Sequence, residues 1–249
     1  MALPVQPWEW AVFKTVRVHI DSHVEFEGHR YSVPNALVGL ALELRVTAHA
    51  VDSCARLLKN ARLKYPQAAI EDLDGRSTRG LERSVVMSLA LGEWVKAGHA
   101  VLITGPTGAG KSWLACALAQ HACRHGHSAL YQRVPRLGEE LCIRHANGTF
   151  TRWLDILKNT DVLLLDDWGM AAMDGQTRAD LLEIIDDRAS HRATIITSQL
   201  PIEHWHEWIG DQTMADAMLD RLMQSHHRFT LTGESLRKKN PPAKGKTDN

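Results

Sequence analysis

The sequence predicts an α/β protein: a parallel sheet flanked by helices and preceded by a small β-rich segment. Three observations predict it. The first fifty residues alternate apolar and polar side chains at period two. From about residue 55 helical patterns alternate with short apolar runs, the signature of βαβ units. One of those runs passes through a glycine-rich turn straight into a helix.

Taken in order, Val16, Val18 and Ile20 form one strand set, and Val24, Phe26, Tyr31 and Val33 flank Gly28-His29 as a hairpin. Leu44, Val46, Ala48 and Ala50 make a last strand. A boundary at 52–55 then separates a β-rich segment over 1–54 from an α/β domain over 55–239, and Pro241-Pro242 with Gly245 predict a disordered basic tail over 240–249. Within the domain, strands are expected at 100–104, 129–134, 162–165, 194–197 and 228–231. Helices are expected at 111–124, 137–145, 153–158, 177–189, 202–209 and 214–225.

Composition excludes several classes of protein. Acidic and basic residues number 29 each and 44% of the chain is hydrophobic, so disorder throughout is excluded. No apolar run approaches the ~18 residues that span a bilayer. The start, Met1-Ala2-Leu3-Pro4, lacks a secretory layout, so a cytoplasmic protein with no membrane partner is expected. Cys54, Cys116, Cys123 and Cys142 make no disulfide framework and are read as free thiols. Cys116 and Cys123 with His121, His125 and His127 do not converge as zinc ligands, and read instead as one helix's apolar face and polar end. The zero net charge is uneven: residues 155–187 hold nine acids against two bases, while Arg56, Lys59, Arg62 and Lys64 form a basic run.

One motif decides the chemistry. Gly105, Pro106, Thr107, Gly108, Ala109, Gly110, Lys111 and Ser112 fit G-x-x-x-x-G-K-[ST] between an apolar strand and a helix. Such a P-loop turns backbone N–H groups toward phosphates at a helix N-terminus. Lys111 is expected to bridge the β- and γ-oxygens of ATP, and the Ser112 hydroxyl to ligate Mg2+. Downstream, Val162-Leu163-Leu164-Leu165-Asp166-Asp167 is a Walker B pattern, four apolar residues ending in two acids. Asp166 is expected to hold the metal and Asp167 to orient or deprotonate the attacking water.

With these motifs, the strings ARLLKNARLKYPQAAIEDLDGR, LITGPTGAGKSWLACALAQHACR, LLLDDWG, LLEIIDDR, ITSQLPIEHWHEWIGD, MLDRL and GESLRKK closely resemble the IstB transposition helper ATPases of bacterial insertion sequences. These are relatives of the DnaC helicase loaders in the AAA+ class. The resemblance implies an ATP-hydrolysing homo-oligomer on duplex DNA that helps a transposase engage its target. It also implies that Ser198, with Thr197 as alternative, is a sensor of the γ-phosphate. Arg221 becomes an arginine finger for a neighbour's site, and Arg237 a second sensor. Without the family, Arg221 could be a surface arginine paired with Asp220 or Asp216, and Arg237 a tail residue. Arg188 is a further candidate for a contact across subunits. Trp205 and Trp208 share a helical face, where core packing is expected over a DNA or subunit contact.

The string WAVFKTVRVHIDSHVEFEGHRYSVPNALVGLALELRVTA resembles instead the C-terminal β-rich region of the IstA transposase, which suggests a fusion or in-frame deletion product. Its histidines, His19, His23, His29 and His49, read as strand-face residues. Two other readings stand beside the helper role: a DnaC-like helicase loader, and a defective remnant that binds DNA or transposase without hydrolysis.

Overall fold

A computed structural model describes residues 11–18, 23–26, 29–32, 41–73 and 80–233. In the first segment β1 (Ala11–Arg17) pairs antiparallel with β4 (Ala41–Thr47), and β2 (His23–Phe26) with β3 (His29–Ser32). The hairpin is thus present, with Gly28, Ile20 and Val33 outside the described residues. Ala48 and Ala50 are not strand residues but open α1 (Ala48–Ala61). Alanine is the strongest helix former, so alternation that rests on alanines is weak evidence for a strand. This helix runs through the 54/55 boundary and packs on β4, on β6 (Ala129–Arg133) and on α4 (Lys111–Arg124).

The larger region is a five-stranded parallel sheet. β5 (Ala100–Thr104), β7 (Val162–Trp168), β8 (Ala193–Ser198) and β9 (His226–Thr230) join β6 in the order β6-β7-β8-β5-β9. Before β5 come α2 (Arg83–Ala90) and α3 (Glu93–Lys96), and between the strands, besides α4, lie α5 (Val134–Ala146), α6 (Phe150–Asn159), α7 (Gly175–Arg188), α8 (Trp205–Ile209) and α9 (Gln212–Gln224). Val134 begins α5 rather than ending a strand, because Pro135 sits where a helix tolerates a missing N–H. The expected helix over 202–209 is a 3-10 turn followed by the short α8.

Strand alternation splits the core into two. On one face Val101, Ile103, Val162, Leu164, Ala193 and Ile195 pack against α4, whose Ala115, Cys116, Ala117, Ala119 and Cys123 are wholly buried. Burial pushes the Cys116 and Cys123 thiols up to about 11 and about 12, so both stay protonated. On the other face Leu102, Leu163, Leu165 and Ile196 pack against α5 to α9. There Trp205 is fully buried, and its indole N–H donates to the Leu200 carbonyl while that of Trp208 donates to Ala171. Trp205 is thus core, and Trp208 is partly buried against it.

Arg188 is 1% exposed and cannot meet another subunit as the chain stands. Its guanidinium donates to the carbonyls of Thr160 (2.7 Å), Leu157 and Ala193 and to the Thr194 hydroxyl (3.1 Å), tying the end of α6 to the start of β8. Burial lowers its pKa to about 9, still cationic at neutral pH.

Candidate nucleotide-binding site

The site lies at the C-terminal edge of the sheet, where β5 gives way to the glycine-rich turn. Gly105 has φ +146 and a Cβ there would lie 2.4 Å from the Leu231 carbonyl oxygen, so only glycine lets the chain leave the strand at this point. Gly110, at φ 98, caps α4 in the left-handed conformation with no side-chain bond to the first turn. That leaves the helix N-terminus without an internal anion, a partial positive charge facing the loop. The Lys111 ammonium donates to the carbonyls of Gly105 (2.7 Å) and Pro106 (2.9 Å), which draws it across the loop. Thr107 donates to Oε1 of Gln199 at 2.6 Å, joining the loop to the chain after β8.

Asp166 is the hub. It is fully buried, and its partners among the described residues come from different elements. Ser112 at the head of α4 donates to Oδ1 at 2.7 Å, and the Thr197 hydroxyl at the end of β8 donates to the same oxygen. Tyr131 of β6 (2.7 Å) and the Lys64 ammonium (3.1 Å) share Oδ2. Burial works against the charged form, but the hydrogen bonds from Thr197, Tyr131 and Ser112 with the Lys64 charge outweigh it and lower the pKa. The carboxylate is therefore ionised. Ser112 and Asp166 offer adjacent hard oxygens, a donor set that fits Mg2+ beside a triphosphate. Among the described residues no group of three or more His, Cys, Asp or Glu is arranged for a metal.

Asp167 sits on an irregularity of β7 between Leu165 and Trp168, at φ 63. The bulge turns its carboxylate off the alternation of the strand, and Arg133 holds it at 2.6 Å. Its own N–H donates to the Thr197 hydroxyl at 3.3 Å. Thr197 thus touches both acids of the pair.

The residues singled out from the sequence divide accordingly. Lys111, Ser112, Asp166 and Asp167 come together with the loop. Ser198 does not join them: its hydroxyl donates to the Trp168 carbonyl (2.7 Å) and accepts from the Leu200 N–H (3.0 Å), on the opposite face of the sheet. Register explains the difference, since Leu164 pairs with Ile195 and Leu165 with Ile196, so that Asp166 falls opposite Thr197. Arg221 pairs with Asp186 at 2.6 Å and Asp220 at 3.6 Å, whereas Asp216 takes His206. It lies one turn before the start of β9, near the edge of the sheet away from the loop. Arg237 is outside the described residues. The sequence reading missed Lys64, Tyr131, Arg133 and Gln199; only the strand phase of Tyr131 and Asp166 hinted at one of them.

A parallel sheet of this order, with a glycine-rich loop after its inner strand β5 and a buried acid two strands away, is the P-loop arrangement. The chain belongs to the family described as IstB-like ATP binding protein, which matches residues 28–243. It is 49% identical over 201 residues to the insertion sequence ATP-binding protein y4pL of Sinorhizobium fredii, covering 81% of this chain and 82% of that one. It is 52% identical over 164 residues to the ATP-binding protein of insertion sequence IS1162 from Pseudomonas fluorescens, covering 66% and 71%. Among solved structures, the DnaC helicase loader superposes with TM-score 0.53 at 18% identity, covering 66% of this chain and 97% of that one. DnaI superposes with TM-score 0.56 at 21% identity, covering 72% and 94%. At these identities the likeness is one of fold. The chain thus shares its fold with DnaC, and the relatives it matches in sequence are named as insertion-sequence ATP-binding proteins. Among the described residues no helix is long and apolar enough to cross a membrane.

Proposed function

We propose that this chain is a Mg2+-dependent ATPase that assembles on duplex DNA as a homo-oligomer in the cytoplasm and helps an IstA-type transposase choose its target. The observation that carries the hydrolytic part is the junction of Ser112, Asp166 and Thr197, which gathers a P-loop hydroxyl, a buried carboxylate and an inter-strand hydroxyl at one point. The loop backbone and Lys111 bind the triphosphate; Ser112 and Asp166 hold the metal, which when bound supplies charge neutralisation at the β- and γ-oxygens. Asp167, released from Arg133, orients the water that attacks the γ-phosphorus and takes its proton as the bond to the bridging oxygen breaks. Gln199, hydrogen-bonded to Thr107, and Thr197 are the polar groups from the β8 end that meet the γ-phosphate.

Arg221 supports assembly. The five residues of β5 extend ~16 Å, and Arg221 lies toward the far edge, so it serves a neighbour's site rather than its own. A guanidinium supplied there neutralises charge on the transferring phosphoryl group. Arg237 remains the proposed second sensor. The insertion-sequence names of the relatives favour the transposition role over helicase loading, for which the fold likeness to DnaC speaks; pull-down with transposase or with replicative helicase separates the two. Calorimetry with Mg2+ and ATP tests the reading. Lys111→Ala should abolish binding, while Asp167→Asn should keep binding and lose hydrolysis; equal loss of binding in both contradicts the division of roles, and binding without hydrolysis in the wild type favours the remnant.

A further inference from the structure

Lys64 reaches Asp166 from outside the phosphate loop and both motif strands. Its backbone is anchored on either side. Arg62 takes φ 50 just after α1 and turns the chain; Leu63 is 8% exposed and joins the core; and Tyr65 packs against the same core while its carbonyl accepts from the Ala68 N–H at 3.1 Å. Held between these points, the lysine places its ammonium 3.1 Å from Oδ2 of a carboxylate that is fully buried, while a third of its own side chain stays exposed.

Among the described residues the other three partners of Asp166 are hydroxyls, from Ser112, Thr197 and Tyr131. A hydroxyl can rotate and present a lone pair to an incoming ion. An ammonium has three donors and no lone pair, so it can only compete. A divalent cation that engages Asp166, directly or through water, meets this like charge within a few ångströms in a poorly solvated place. We propose that Lys64 is a positioning residue of the nucleotide site, the alternative counter-ion of Asp166, which holds Oδ2 beside Tyr131 and yields it to the metal. The inference rests on the reading of Asp166 as the metal anchor. Its consequence is selectivity of loading: a metal arriving alone does not displace Lys64, whereas one arriving with a triphosphate, held also by the loop and Lys111, does. The exposed third of the side chain gives the ammonium a path to water when it leaves.

Mn2+ is the probe, with free ion measured by electron paramagnetic resonance on the full chain, without nucleotide and with a non-hydrolysable ATP analogue. Lys64→Met should tighten nucleotide-free Mn2+ binding about tenfold, the equivalent of one charge-assisted hydrogen bond. Lys64→Gln should match it, and Lys64→Arg should restore the weaker wild-type affinity. Tyr131→Phe removes a partner of the same oxygen but leaves the charge, and should change the affinity less than about threefold. Unchanged or weaker binding in both Lys64→Met and Lys64→Gln overturns the proposal, as does a gain in Tyr131→Phe equal to theirs. A wild-type chain that takes up no Mn2+ even with the analogue overturns instead the underlying assignment of Asp166, so the two failures are told apart.

Discussion

Replacing Thr197 by valine keeps the shape of a side chain that is 1% exposed and removes a hydroxyl that serves both acids of the pair. Two bonds disappear: the one donated to Oδ1 of Asp166 and the one accepted from the Asp167 N–H at 3.3 Å. A hydrogen bond to a charged group contributes about 1.5–3 kcal/mol and a long neutral one about 0.5 kcal/mol, so Thr197→Val should cost roughly 2–3.5 kcal/mol. Asp167 also loses the anchor of its backbone, and hydrolysis should fall by about ten- to a hundredfold with a smaller loss of ATP binding. Ser198→Ala is the paired control. Among the described residues its hydroxyl bonds the Trp168 and Leu200 backbone, so the variant should lose about 1–2 kcal/mol and keep its turnover. Urea unfolding gives the first quantity for each variant and phosphate release the second, with Lys111→Ala as blank. If Ser198→Ala lowers turnover as much as Thr197→Val, or Thr197→Val is neutral in both assays, the assignment drawn from strand register is wrong.

Three further outcomes are expected. Gly105→Ala forces a Cβ to 2.4 Å from the Leu231 carbonyl at an unfavourable φ, and should cost about 2–5 kcal/mol in a denaturation midpoint as well as nucleotide binding. His121 is held neutral, its pKa lowered to about 4 by burial and then by His125, with Nε2 donating to the Ala90 carbonyl and Nδ1 facing Arg124. The unfolded chain takes up that proton below about pH 6.5 and the folded one only near 4. Stability is therefore full above 6.5 and falls as pH drops, by about 3 kcal/mol in all; a His121→Leu variant whose urea midpoint declines as steeply as the wild type between pH 7 and 4.5 would refute this. Arg188→Met should unfold the chain more easily by about 3–5 kcal/mol, because it strands the carbonyls of Leu157, Thr160 and Ala193 in the core; an unchanged midpoint speaks against the clamp.

Much of this molecule is local in origin and was readable for that reason. The turn from Gly105 to Ser112 is specified by glycines whose backbone angles no other residue adopts cheaply, and by a lysine and serine placed one and two steps beyond them. The run from Val162 to Leu165 is buried throughout, so its apolar content announces a central strand and puts Asp166 at its end. Ala48 and Ala50 misled because alternation without bulk says little about which face is buried.

The neighbours across the sheet could not be read this way. Thr197 rather than Ser198 faces Asp166 because β8 is hydrogen-bonded beside β7 in a register that one residue's slip would reverse. Arg188 and Arg221 look alike in a linear string, yet one is walled in by carbonyls and the other stands half-exposed against Asp186, a difference made by how α6, α7 and α9 pack. Lys64 meets Asp166 across 102 positions of chain. The amino-acid order alone thus determined the loop, its strand and its helix, since short-range sterics and periodicity act within a dozen residues. Which distant side chains complete the pocket was decided only when the strands took their order, because a hydrogen bond depends on distance in space and carries no trace of separation along the chain.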